Sequence, residues 1–409
     1  MSNAPTLDSM SDEAMNPAMR DTLAAFIRES ILPGDTPLGD DAVIEVADFL
    51  ISAGLDRTSG KAALLIESTT QGQRRLRIGV INDDMPFLVD SIAAAVTSFG
   101  LSIDALVHPL VCVQRDVGGR LTGIGVGSAE RESMIYIETP RLDARQRREL
   151  SDHLHETLAD VRAAVDDWTE VQAVMEADAE ALDKAQGPHA AEEAELMRWL
   201  NGGMLTQLGH ITRTRGGEHS DVLGISRESA LELLAPGSYD RAFQWFDEPD
   251  AQGAERTLLI LKANRLSTVH RRTALDLFIV PRRKNGRVEE LSVHAGIWTS
   301  AALAAAPAQV PILRTRLKQI SEDFGFAPAS HTGKALIHAF TALPHDLLVA
   351  FSVADTKLLS TAMMSLVDRP RPRLILINSP LERHIFAFVW LPRDQMSTGL
   401  RLQIQTLLL

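Results

Sequence analysis

The chain has 409 residues, of which 45% are hydrophobic and 23% charged, and it carries a formal net charge of −13. That length allows about two to four domains, and the acidic balance excludes the concentrated basic surface that nucleic-acid phosphates require. Cys112 is the only cysteine. Being single, it excludes an intramolecular disulfide and a cysteine-based metal site, and its place in an apolar run reads as a buried thiol. No apolar run reaches the roughly 18–20 residues of a membrane span. The polar, acidic N-terminus has no signal-peptide pattern, so a cytoplasmic location is expected.

Residues 1–18 are small and polar and are predicted to be a disordered tail. Asp21–Ile31 and Asp41–Ala53 read as two amphipathic helices of an N-terminal helical segment, 19–72. Strand-like runs occupy 62–67 and 74–82. The chain then turns through Asn82, Asp83 and Asp84 at Met85-Pro86 and enters a helix over 86–99. Its apolar positions Leu88, Ile92, Val96 and Phe99 are spaced to face a sheet. Gly100 ends the helix and Asp84 is the expected cap. A strand follows over 101–115, then the turn Asp116–Gly119, whose Gly118-Gly119 is a hairpin signal. Strands near 120–126 and 132–139 and a helix from about Asp143 complete a β-α-β-β-α order. That order predicts an α+β sandwich, with helices on one face of a largely antiparallel sheet. It is the order of ACT domains, assigned here to 73–185 with the long helix.

From Asp143 to about Lys184 there is no Gly or Pro. Leu150, Leu154, Leu158, Val161 and Val165 recur at helical spacing, predicting a long helix or helix pair. A helix over Ala190–Leu200 stops at Asn201-Gly202-Gly203. Residues 186–310 read as a mixed α/β domain, with strands at 204–213, 256–263, 274–281 and 288–298 and a helix over Arg227–Leu234. Lys284-Asn285-Gly286 is its hairpin turn. Pro311–Phe324 and Lys334–Leu343 are predicted helices. Then come a strand at Asp346–Val353, a helix at Asp355–Val367, strands at Arg373–Asn378 and His384–Leu391, and a helix at Ser397–Leu409. The region 311–409 therefore reads as a helical linker and a second β-α-β-β-α copy, incomplete at its C-terminus, as in a piece of a longer protein.

The turn holds the candidate site: Asn82, Asp83, Asp84, Met85 and Phe87. Its carboxylates can receive the ammonium of an amino acid, and helix N-terminal N–H groups its carboxylate. In such folds a second subunit closes the site. Gly123, Gly125 and Gly127 are spaced like a dinucleotide fingerprint, but no helix is predicted to open after them. Gly333-Lys334 lacks the upstream Gly and the following Ser/Thr of a phosphate loop. A nicotinamide cofactor needs a pyrophosphate cradle, so none is expected to bind this chain. His153 and His155, two apart on a helix, point to different faces. His108 and His331 read as structural, and no metal site is expected. Arg271-Arg272 and Arg282-Arg283-Lys284 read as solvated strand ends. No catalytic Ser-His-Asp or Cys-His set can be read from order alone.

Longer motifs carry a resemblance. NDDMPFLVDS (82–91), VHPLVCVQRD (107–116) and ESMIYIETPRL (132–142) are followed by LLILKANRLSTVHRRTALDLFIV (258–280), SHTGKALIHAF (330–340) and FVWLPRDQMSTGLRLQIQTLL (388–408). Over most of residues 75–409 the chain resembles the N-terminal region of the large bacterial NAD-dependent glutamate dehydrogenases. The resemblance implies tandem ACT-like or PAS-like domains joined by helices, and a catalytic domain beyond the equivalent of Leu409. It implies NAD as cofactor of the parent enzyme, a homo-oligomer, and an amino-acid effector, with neither nucleic acid nor membrane as partner. The chain alone is then a regulatory and oligomerising segment without dehydrogenase activity. The alternative is a stand-alone amino-acid-sensing module without catalysis.

Overall fold

The computed structural model describes residues 17–31, 33–34, 38–69, 74–125, 127, 131–228, 233–250, 253–367 and 369–408. The chain divides into two compact units, one of Met1–Val165 with Ser267–Arg272, the other of Asp166–Leu266 with Thr273–Leu409. Both mix helices with antiparallel sheets, so the chain is α+β.

The first unit contains α1 (Pro17–Ser30), α2 (Asp40–Gly54), β1 (Ala63–Ser68), β2 (Arg75–Asp83), α3 (Leu88–Ser98), β3 (Ala105–Val107), β4 (Leu110–Arg115), β5 (Leu121–Ile124), β6 (Arg131–Pro140) and α4 (Ala144–Asp166), whose last residue falls in the second unit. The sheet order is β1-β2-β6-β4-β5, with β3 also on β6. In β6, Met134, Ile135, Tyr136 and Ile137 are consecutively buried. Side chains alternate across a strand, so this sheet is covered on both faces. One cover is the N-terminal helical segment: Leu23 and Ile27 of α1 and Phe49 and Leu50 of α2 join Ile81, Val111, Val113, Met134 and Tyr136 in one core. Gly79 allows this approach, because a Cβ there would lie 2.9 Å from Phe49 Cε1. Leu76, Ile78, Val80, Ile135 and Ile137 are buried at the opposite parity, and α3 and α4 carry matching buried stripes at Leu88, Ile92, Val96, Leu150, Leu154 and Leu158. The expectation of helices on one face is thus corrected to helices on both. The tail predicted for 1–18 lies outside the described residues except at its end, where Pro17 and Ala18 begin α1.

Three local expectations also change. Asp84 does not cap α3: Phe87 holds that position, at φ 71° and without a side-chain cap. Phe99 lies past the helix end, half-buried, with its ring 5.9 Å from that of His153 rather than over the sheet. The strand predicted for 101–115 is split into β3 and β4 around His108-Pro109, where proline offers no N–H to the ladder.

The second unit begins with α5 (Trp168–Asp183) and α6 (Ala190–Trp199). Gly203, at φ 97°, ends the turn after α6. Then follow β7 (Leu205–Thr214), β8 (His219–Gly224), α7 (Ile225–Glu228), α8 (Pro236–Asp247), β9 (Leu259–Leu266), β10 (Ala274–Lys284), β11 (Arg287–Trp298) and α9 (Ser300–Ala304). The sheet order is β8-β7-β11-β10-β9. Asn285 and Gly286, both at positive φ, make the predicted β10–β11 hairpin. Met175, Ala179 and Leu182 of α5 share a core with Phe278 and Val280 of β10. The helix predicted for Arg227–Leu234 lies partly outside the described residues. β8 and α8 were not predicted.

The remainder is α10 (Leu313–Phe324), α11 (His331–Ala342), α12 (His345–Leu348), α13 (Val353–Val367), β12 (Arg373–Asn378), β13 (Ile385–Trp390) and α14 (Thr398–Leu408). The strand predicted at Asp346–Val353 is instead α12 and the turn after it. Pro344 stands at its N-cap, and Asp346 in its first turn favours a helix start. The second β-α-β-β-α copy is therefore not formed in that order. β12 and β13 make a two-stranded sheet. Its Ile375, Ile377, Phe386 and Phe388 pack on the unit's core, while Leu374, Leu376 and Ile385 are exposed.

Candidate functional site

The polar turn after β2 is held by arginines. Asn82 is 1% exposed, and its Oδ1 accepts from Arg162 Nη2 at 2.7 Å. Asp83 accepts from the same nitrogen at 2.7 Å through Oδ2 and from Arg57 Nη2 at 2.5 Å through Oδ1. Burial alone would raise the Asp83 pKa, but Arg57 and Arg162 hold its carboxyl below the usual carboxylate range. Arg57 reaches on to Glu132 Oε1 at 2.5 Å. Arg115 grips Glu132 with two bonds of 2.8 Å, a bidentate pair. Arg57 and Glu132 are almost fully buried. Three guanidiniums thus face two carboxylates, and the acceptors of Asn82 and Asp83 are already engaged.

The other three candidates sit nearer the surface. Asp84 is exposed, with Ser133 Oγ donating to it at 3.5 Å. Ser133 Oγ also lies 3.0 Å from His108 Nε2, and burial pulls the His108 pKa down. Met85 and Phe87 are half-buried. The Phe87 ring is 5.4 Å from that of His270, whose N–H donates to Ser91 Oγ at 2.8 Å and whose Nδ1 lies 3.0 Å from Asp90. The segment Ser267–Arg272, part of this unit, therefore lies across the start of α3.

The glycine runs form no nucleotide cradle. Gly123 is in β5, and the next described element is β6, so the strand-to-helix turn that cradles a pyrophosphate is missing at this point. Gly333 lies in the first turn of α11 and donates its N–H to the capping Ser330 Oγ at 3.0 Å. These residues do not fit a dinucleotide.

Sequence spacing gave no sign of a polar group inside the second unit. His210 of β7 and His294 of β11 are cross-strand partners, and Ser292 pairs with Thr212 two residues along. All four share one face, by the two-residue period of strands. Asp178 of α5 meets them there, and all five are buried. Asp178 Oδ2 accepts from His294 Nε2 at 2.8 Å and from Ser292 Oγ. His210 Nδ1 donates to the Asp221 carbonyl at 2.9 Å, leaving Nε2 2.8 Å from Ser292 Oγ. Burial, and the neighbouring His294, pull the His210 pKa down to about 4, so the ring is neutral and Nε2 carries a lone pair. Burial opposes charge on Asp178, but His294, Ser292 and Arg282 hold its pKa below the ordinary value. His294 Nδ1 is buried, with no hydrogen-bond partner among the described residues.

Two family models match other parts of the chain. Residues 63–154, from β1 into α4, match the glutamate dehydrogenase ACT1 domain. Residues 310–369, spanning α10 to α13, match the glutamate dehydrogenase helical motif 1. NAD-specific glutamate dehydrogenases of Halomonas elongata and Pseudomonas aeruginosa are each 28% identical to this chain over 81% of its length, and that of Mycobacterium tuberculosis is 24% identical over 80%. This chain is similar to the N-terminal region of the NAD-specific glutamate dehydrogenases. It spans about a fifth of those relatives, 22%, 22% and 20% of their lengths. A solved RNA-binding light-oxygen-voltage receptor shares 10% identity, over 66% of this chain and 84% of its own, at a TM-score of 0.13, too low to bear on fold or function. Among the described residues no helix is long and apolar enough to cross a membrane.

Proposed function

We propose that this chain is the regulatory and oligomerising N-terminal segment of a cytoplasmic NAD-dependent glutamate dehydrogenase. That enzyme type converts glutamate, NAD and water to 2-oxoglutarate, ammonia and NADH. The observation that carries the reading is the ACT1 match across β1 to α4, the α+β unit that holds the polar turn. NAD serves the longer enzyme, and no residue described above fits a dinucleotide. The effector is an amino acid, received at the turn with Asp84, Met85 and Phe87 at its surface and Asn82 and Asp83 behind them. A second copy of the chain completes the site.

The purified chain is expected to form no NADH from glutamate and NAD, and measurable turnover above a blank would refute the regulatory assignment. Calorimetric titration with a panel of amino acids tests the effector. Binding at up to millimolar concentration that Asp84→Asn weakens supports the site. Silence across the panel, with no shift in melting temperature, makes the turn a structural ion-pair anchor.

A further inference from the structure

We propose that Asp178, His210 and His294 form a binding site for a first-row divalent transition ion of the zinc type, between α5 and strands β7 and β11. One ligand atom from each lies within 4.8 Å of the others. In a tetrahedral site with bonds of about 2.0–2.2 Å, ligand atoms stand roughly 3.3–3.6 Å apart. The widest pair must therefore close by about an ångström, while His294 Nε2 and Asp178 Oδ2, at 2.8 Å, open slightly. Two imidazoles and a carboxylate are the donors that zinc takes, with a fourth position for a hydroxyl or water. Ser292 Oγ lies among these donors, 2.8 Å from His210 Nε2 and bonded to Asp178.

The group is arranged for a cation in three ways. First, His210 gives its Nδ1–H to the Asp221 carbonyl. This turns the Nε2 lone pair inward, the outer-shell device that orients metal-binding histidines. Second, one hydroxyl proton is shared between two acceptors, although Asp178 Oδ2 also accepts from His294 Nε2. Ser292 has one hydroxyl proton, and both His210 Nε2 and Asp178 Oδ2 face it as acceptors. A metal ion satisfies both acceptors together. Third, the histidines are directly paired on adjacent strands, with ring centroids 4.8 Å apart, so the backbone ladder sets their separation.

One cation competes. Arg282 approaches Thr212 and Ser292 at 3.4 Å, Asp178 at 3.5 Å and Asp221 at 3.7 Å. All four contacts are long, and its side chain is 35% exposed. An entering ion displaces it toward Asp221, which is 53% exposed and keeps the guanidinium paired. His294 binds through Nε2 once the proton there has moved to Nδ1, a change of tautomer that leaves the ring neutral.

The test uses the 409-residue chain, stripped with chelator, reloaded with Zn²⁺ and dialysed, with metal measured by mass spectrometry. Loading with Co²⁺ gives a second readout, because four-coordinate cobalt absorbs strongly in the visible. The expected result is one ion per chain, visible cobalt bands, and a melting temperature raised by zinc. Asp178→Asn and His210→Gln should each weaken binding at least about tenfold. His155→Ala, an exposed histidine on α4, should leave it unchanged. Wild-type protein that retains no zinc and gives no cobalt bands overturns the proposal whether or not the variants fold, and leaves a buried hydrogen-bonded cluster. Zinc lost with His155→Ala overturns it in favour of a surface ion.

Discussion

Replacing Arg57 with methionine removes the hub of the ion-pair network beneath the polar turn while keeping most of the side-chain volume. The guanidinium is 3% exposed and bonds Glu132, Asp83 and the Lys61 carbonyl. Breaking a buried pair by removing one partner costs about 3–5 kcal/mol, because the other charge stays behind. Here the cost lies near the lower end, about 3 kcal/mol, since Glu132 keeps the bidentate Arg115 and Asp83 keeps Arg162. Urea unfolding followed by far-ultraviolet circular dichroism measures the loss. Hydrogen exchange in peptides covering β2 and β6 localises it. Arg120→Met is the control, because that side chain is 51% exposed and its nearest carboxylate, Asp56, is 3.9 Å away. A surface pair of that kind is worth no more than about 1 kcal/mol. A cycle with Glu132→Gln should show coupling of about 1–3 kcal/mol. If Arg57→Met costs no more than Arg120→Met, the network does not anchor the turn.

Ile92→Ala should destabilise the first unit by about 2–5 kcal/mol, because Ile92 is 0% exposed. Phe99→Ala should cost clearly less despite removing more atoms, and thermal melts showing the reverse order would contradict the placement of α3. Burial pushes the Glu193 carboxyl up to about 7, against an ordinary 4.5, despite the Thr257 hydroxyl it accepts and the charge of Arg316. A raised pKa means that this group's stabilisation is complete below about 4.5 and lost as pH rises through about 7. Glu193→Gln should therefore flatten the fall in melting temperature between pH 5 and 8, and an unchanged slope would show that Glu193 is ionised throughout.

Most of the first unit was legible because its signals are local. Alternation in 74–82, a short apolar run in 132–139, a stripe at Leu88, Ile92 and Val96, and a Gly-Gly hairpin each act within a few residues. The cover from α1 and α2 was not legible, since nothing in a strand of continuous apolar residues says which helix lies on it. The strand expected at Asp346–Val353 failed because LLVAF is too short an apolar run for periodicity to separate strand from helix. The turn at 82–87 was found from its residue types, but Arg57 and Arg162 lie 26 and 79 residues from Asp83. No spacing rule connects them. The Asp178 group is more distant still, with 116 residues between Asp178 and His294. Its one trace in the sequence is polar residues at core parity, His210 and Thr212 opposite Ser292 and His294. That trace becomes readable only when the β7–β11 register is known.

The β12–β13 ribbon has a consequence for the molecule's behaviour in solution. Among the described residues it has two strands, and neither is paired with a strand along its other edge. Its outer face adds Leu374, Leu376 and Ile385, exposed by 53%, 55% and 67%. Open edges beside an apolar face favour strand-on-strand accretion between copies. The net charge of −13 opposes it by mutual repulsion. Added salt shortens the reach of that repulsion without weakening the apolar attraction. The chain is thus expected to be colloidally stable in dilute buffer and to scatter light increasingly as ionic strength rises.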